Sequence, residues 1–155
     1  MNQKRYGRSI IAFAFLFGGT SQVAWADECA LTVNSSDQMQ FDQQTIVVPS
    51  SCEKVKLTLN HSGKLPKTVM GHNWVLSNTA DVQAVATDGM RAGADNHYVK
   101  PDDVRVIAAT EIIGGGESTQ IEFDVAELDA NGDYTFFCSF PGHWAIMKGK
   151  LVVES

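Results

Sequence analysis

The chain has 155 residues, with 18 acidic and 12 basic side chains, a formal charge of −6 and three cysteines. That length suits one domain rather than several. The acidic balance argues against nucleic acid or anionic membrane as a partner, and no segment reaches the roughly 18 consecutive apolar residues of a membrane-spanning helix.

The N-terminus carries Lys4, Arg5 and Arg8, then the apolar run IIAFAFLF from Ile10 to Phe17, then Ala24-Trp25-Ala26. Basic start, short apolar stretch and small-x-small site predict a secretory signal peptide over 1–26. Residues 27–155 are left as a single domain, long enough for one packed core. All 18 acidic residues but only nine of the 12 basic ones fall in this part, so its net charge is −9. The acidic side chains are dispersed, which predicts no acidic tail.

The domain reads mostly as strands. TIVV at 45–48, KVKLTLN at 54–60 and STQIEFDV at 118–125 carry period-2 patterns; DYTFFC at 133–138 and KGKLVVE at 148–154 close the chain. HSGKLP, IGGGES and DANGD punctuate them, and Asn131-Gly132 is a strong turn signal. From 77 to 90 the residues SNTADVQAVATDGM differ. Val82, Val85 and Ala86 recur at spacing three and four, Asn78 or Thr79 could cap, and Gly89 could end a short helix. The sum predicts an all-β fold, a Greek-key β-sandwich or barrel of antiparallel strands with one short helical flap.

An exported protein meets an oxidising compartment, where thiols pair, and three cysteines leave one over. Cys138 has ligand-type neighbours; Cys29 and Cys52 do not. The economical pairing is Cys29 with Cys52, which leaves Cys138 as a free thiolate, while the other two pairings stay open. In the chain-entropy model, closing a loop of 24 residues contributes about 3.5 kcal/mol.

The stretch CSFPGHWAIM, 138–147, places Cys138, His143 and Met147 around one loop between two strands. Thiolate and thioether favour copper(I), and imidazole suits copper in either oxidation state. A second imidazole is needed, and His72 in MGHNWVLS, at the start of an apolar strand, is the best candidate. Two His and one Cys in a plane with a weak axial Met form a blue-copper electron-transfer site. Such a site lies between the preferences of the two copper states and leaves no position open for substrate. His61, after the KVKLTLN strand, reads as a partly buried non-ligand, and His97 in GADNHYVK as a solvated loop residue. Trp74 shares the face of His72 by alternation and reads as core, while Trp144 beside His143 reads as partly exposed.

Six motifs carry a family resemblance: NSSDQMQF, VMGHNWVLS, TDGM, YVKPDD, RVIA and above all YTFFCSFPGHWAIMKG. With the Cys-x4-His-x3-Met spacing and a cysteine pair near the start of the domain, 27–155 resembles the azurins of the cupredoxin family along essentially its whole length. The resemblance implies a cupredoxin sandwich with one copper per chain, held by His72, Cys138, His143 and Met147. It implies that the Gly71 carbonyl approaches the metal opposite Met147, and that Asn73 and the backbone around Phe140 tie the ligand segments together and tune the sulfur. It also implies an apolar docking patch of Met39, Leu65, Val69, Met70, Met90, Phe140, Pro141 and Ala145.

The leading expectation is a periplasmic, monomeric, non-enzymatic carrier of single electrons. It would exchange them at the edge of His143 with redox proteins such as c-type cytochromes or a periplasmic reductase. The alternative is a periplasmic copper storage or delivery protein, which would need accessible, exchangeable ligands. Copper oxidase or reductase chemistry would need a further metal with an open position, and His61 and His97 are too few for one. Cys and two His could also hold a structural zinc, although the axial Met adds little for that metal.

Overall fold

The computed structural model of the chain describes residues 28–154; the predicted signal segment lies outside the described residues. Eight strands form in chain order: β1 (Ala30–Ser35), β2 (Thr45–Pro49), β3 (Lys54–His61), β4 (Val75–Asn78), β5 (Val106–Ala109), β6 (Ser118–Asp124), β7 (Tyr134–Phe137) and β8 (Lys148–Glu154). A one-turn helix α1 (Lys67–Met70) precedes β4, and the longer helix α2 (Val82–Ala92) follows it.

Alternation explains most of this. β8 reads KGKLVVE with every second residue buried, and β3 puts Val55, Leu57, Leu59 and His61 inward. A half-buried strand presents such a pattern because successive side chains face opposite sides. β7 is the exception, with all four residues of YTFF buried. It is the middle strand of a five-stranded sheet, β2-β8-β7-β4-β5, and both its faces are covered. Phe136 enters the main core with Trp74, Leu76 and Leu151, while Phe137 faces the other way, against Val82, Val85 and Ala86 of α2. The helical flap is thus pinned to the outside of the sheet by its own apolar stripe.

The second sheet has the order β1-β3-β6, and the main core lies between the two sheets. Trp74 is fully buried there, stacked at 5.7 Å on Phe136 and 5.9 Å on Phe123. Its indole N–H has no hydrogen-bond partner, a cost that the burial of so large a ring offsets.

Three expectations need correction. The strands are not all antiparallel, since β1 runs parallel to β3 and β2 parallel to β8. Gly89 does not end the helix: it is a buried residue inside α2, because a Cβ there would lie 2.0 Å from the Tyr98 carbonyl oxygen. The helix stops at Gly93, whose φ of 79° suits a residue without a side chain. His72 does not start a strand; it makes an isolated bridge to Ile113, and β4 begins at Val75.

Candidate metal centre

The end of β7 and the start of β8 fix the loop that carries Cys138, His143 and Met147. The Cys138 N–H donates to the Met147 carbonyl (3.0 Å), and the Met147 N–H donates to the His143 carbonyl (2.8 Å). The loop therefore folds back on itself and turns His143 towards Cys138. His72 is held separately by its two-way bridge to Ile113, with N–H to carbonyl distances of 3.0 and 2.9 Å.

Three donor atoms converge. Cys138 Sγ lies 3.7 Å from His72 Nδ1 and 3.6 Å from His143 Nδ1, and all three donors lie within 4.8 Å of one another. His72 and Cys138 are fully buried, and His143 is 4% exposed. Bonds of about 2.0 Å to nitrogen and 2.3 Å to sulfur, meeting at roughly 110–120°, would set nitrogen and sulfur about 3.5–3.7 Å apart. The spacing therefore fits one shared ion. The His72 Nε2–H donates to the Ser36 carbonyl at 2.8 Å, which leaves the lone pair on the Nδ1 that faces the sulfur.

Electrostatics agree with a cation site. Burial pushes the Cys138 thiol up to about 12, against the backbone N–H groups of Asn73 and Phe140, which favour the thiolate. Burial pulls His72 down to about 4, with its bond to Ser36 working the other way, and burial also lowers His143. At neutral pH both imidazoles are neutral and the thiol holds its proton, so metal uptake must release the proton of Cys138.

Around the donors stands a buried brace. Asn73 Oδ1 accepts the Ser139 N–H (2.8 Å), and its Nδ2 donates to Ser139 Oγ (2.8 Å) and to the His97 carbonyl (3.0 Å). The residue after His72 is thereby bonded to the residue after Cys138. The Gly71 carbonyl lies 3.9 Å from the sulfur. Gly71 admits no side chain, since a Cβ would sit 2.4 Å from the Lys67 carbonyl oxygen and 2.8 Å from Ile112 Cγ2. Met147 is fully buried within the same loop.

The other histidines are more buried than their readings, while His61 is engaged as the non-ligand it was read to be. His61 is 2% exposed and lies stacked on His72 at 4.5 Å. Its Nε2–H donates to the Met70 carbonyl (2.9 Å) and its Nδ1 accepts the Gly63 N–H (3.0 Å), so neither nitrogen is free to ligate. His97 is half-buried rather than solvated, and its Nδ1 accepts the Ile112 N–H at 3.2 Å.

Leu65, Val69 and Met90 are exposed, as are Pro141 and Ala145, while Met39 and Met70 are half-buried. Phe140 departs from the patch reading. It is 8% exposed because its ring lies between His143 (4.7 Å) and Tyr98 (5.3 Å). Ile146, at 64% exposure, went unread, although its place beside Ala145 in the ligand loop was a signal for it.

A two-sheet sandwich with a buried His-Cys-His triangle, its cysteine at the end of an inner strand, defines a cupredoxin with a mononuclear metal centre. The family model described as copper binding proteins, plastocyanin/azurin family, matches residues 27–154. The azurin of Bordetella pertussis is 52% identical over 144 residues, covering 93% of this chain and 96% of that one. The azurin of Pseudomonas aeruginosa is 53% identical over 129 residues, covering 83% and 87%. The solved structure of azurin Az-iso2 from Methylomonas sp. strain J matches with a TM-score of 0.80 at 50% identity, covering 82% of this chain and 98% of that one. The chain belongs to the plastocyanin/azurin family of copper-binding proteins.

Proposed function

We propose that the protein is a soluble periplasmic carrier of single electrons, whose copper would be held by His72, Cys138 and His143, with Met147 and the Gly71 carbonyl as weaker donors. The observation that carries this reading is the donor triangle, buried and braced by the hydrogen bonds around it. Bound copper supplies a one-electron couple between its two oxidation states. The protein supplies the rest. The His72–Ile113 bridge and the Asn73–Ser139 bonds keep the donors from rearranging when the charge at the site changes. The buried thiol, once deprotonated, contributes the soft ligand, and the two neutral imidazoles the borderline ones. Burial of all three donors disfavours the alternative of copper delivery, which needs ligands open to exchange.

The localisation rests on the signal-like residues 1–26. Among the described residues, no helix is long and apolar enough to cross a membrane. Partners would dock on the exposed apolar residues Leu65, Val69, Met90, Ala145 and Ile146 and exchange electrons through the thin exposed edge of His143. On a domain, residues 27–155, of net charge −9, this uncharged area lets a c-type cytochrome or a reductase approach without stripping water from charges. Such encounters would be small and short-lived, which suits a monomer that exchanges electrons with each partner.

Stopped-flow electron exchange with a soluble c-type cytochrome tests the reading. Reduction and reoxidation should be second order, and roughly tenfold slower for Ala145→Asp with the copper spectrum unchanged. No exchange at all would contradict it. For Met147→Leu, copper should stay bound while the midpoint potential rises, because copper(II) loses an axial donor. An unchanged potential by voltammetry would make Met147 a core residue only.

A further inference from the structure

Between α2 and β5 the backbone turns left-handed at two successive residues that are not glycine, His97 (φ 52°) and Tyr98 (φ 56°). Such a pair is uncommon, and it persists only where surrounding contacts over-determine it. Here the His97 N–H donates to the Ala94 carbonyl (2.9 Å) and the Tyr98 N–H to the Gly93 carbonyl (3.0 Å). Gly89 in α2 gives the Tyr98 carbonyl room to approach.

This turn meets the surroundings of the metal centre at three points. The His97 carbonyl accepts from Asn73 Nδ2 (3.0 Å), the His97 Nδ1 accepts from the Ile112 N–H (3.2 Å), and the Tyr98 ring lies edge-on to Phe140 (5.3 Å). Asn73 follows His72 and is bonded to Ser139, the neighbour of Cys138. Ile112 packs where a Gly71 side chain would stand, and the next residue, Ile113, bridges to His72. One residue thus grips both chain segments that position His72.

We propose that His97 is a positioning residue of the metal centre, a neutral imidazole that clasps the Ile112 N–H through Nδ1 while its carbonyl holds Asn73. The proposal rests on the copper-carrier reading for its consequence, but the clasp itself stands on these hydrogen bonds. Only an unprotonated Nδ1 can accept from an N–H, so the ring proton belongs on Nε2. Protonating Nδ1 would set two N–H groups against each other and open the clasp. The charged groups that line the surroundings of His97 are Asp95 on its own turn, Lys67 of α1, Lys100, Asp102 and Asp103 along the following segment, and Glu111 beside Ile112. Of these, Asp103 is already engaged by Arg105.

Two substitutions separate the clasp from mere packing. His97→Gly removes the ring yet keeps the left-handed backbone and the carbonyl. His97→Asn puts an amide oxygen where Nδ1 stands, tolerates the same φ and cannot be protonated in the working pH range. Hydrogen exchange of the Ile112 amide is read by NMR in the metal-free protein at pH 8, with Ile113 as internal control. The midpoint potential of the copper-loaded protein is read at pH 8. In His97→Gly, Ile112 should exchange roughly tenfold faster than in the wild type, and the pH 8 potential should shift. His97→Asn should restore both. A wild-type Ile112 amide and potential in His97→Gly would overturn the proposal, as would failure of asparagine to restore them. If His97→Gly does not fold, His97→Ala takes its place, and a wild-type Ile112 exchange rate and potential there overturn the proposal. If the wild type itself takes up no copper, the carrier reading fails, and the Ile112 exchange rates alone decide the clasp.

Discussion

Replacing Asn73 by alanine is expected to destabilise the metal-free protein by about 3 kcal/mol or more, among the largest effects of any single substitution at the centre. Asn73 is fully buried and makes three hydrogen bonds, to the Ser139 N–H, the Ser139 hydroxyl and the His97 carbonyl. Alanine would remove these bonds from both groups of the fully buried Ser139 and from the carbonyl of the half-buried His97. An unsatisfied buried polar group costs about 1–3 kcal/mol, which sets the scale. The damage should also be local, because these bonds are what ties the chain after His72 to the chain after Cys138. Urea denaturation of the metal-free protein measures the first effect, and the width and position of the visible band after copper addition measure the second. A loss below about 1 kcal/mol with an unaltered band would show that the two segments are held by sheet packing alone.

Removing the Cys29–Cys52 disulfide is expected to cost about 3.5 kcal/mol while leaving the metal centre intact. The bond spans a sequence separation of 23 and anchors the beginning of β1, an edge strand paired only to β3. Cys52 is itself buried in the main core. The bond lies before the start of β3, whereas His61, which stacks on His72, ends that strand. Eight extended residues separate the two by about 25 Å. The double variant Cys29→Ser, Cys52→Ser should therefore unfold at lower urea and, once folded, give an unchanged copper spectrum. A spectrum that changes with the disulfide would mean that strain passes along β3 to the site.

Local patterns in the sequence were legible where one face of a strand is buried. β3, β6 and β8 emerge from alternation to within a residue, since in them the core-facing set is apolar and the other set polar. β1 and β5 were not read. ALTVNS is half-exposed at one end, and VIAA has small residues of intermediate burial, so neither shows a period. Strand direction was not legible either. The parallel pairings of β1 with β3 and of β2 with β8 depend on long-range topology, and a period-2 pattern looks the same in both directions. The disulfide, favoured over two other pairings on neighbour chemistry, is the one present.

At the centre, Cys138, His143 and Met147 were visible because a single loop carries them. His72 came by choice among four histidines. His97 was misread because a polar sequence, GADNHYVK, gives no sign that the imidazole turns back onto Ile112. The family resemblance puts Phe140 in the docking patch, yet an aromatic ring next to a buried imidazole gains more by packing against it. Tertiary contacts of this kind leave no periodic trace in the sequence.

The central claim is that Cys138 and two imidazoles hold one copper that passes single electrons. The most direct test is to add copper(II) to the purified protein, record the visible spectrum, reduce with ascorbate and reoxidise, with Cys138→Ser alongside. An intense blue thiolate-to-copper band at one copper per chain, which bleaches, returns and is missing in the variant, is the expected result. A weak band, or one that survives the loss of Cys138, would contradict the ligand assignment and with it the carrier function.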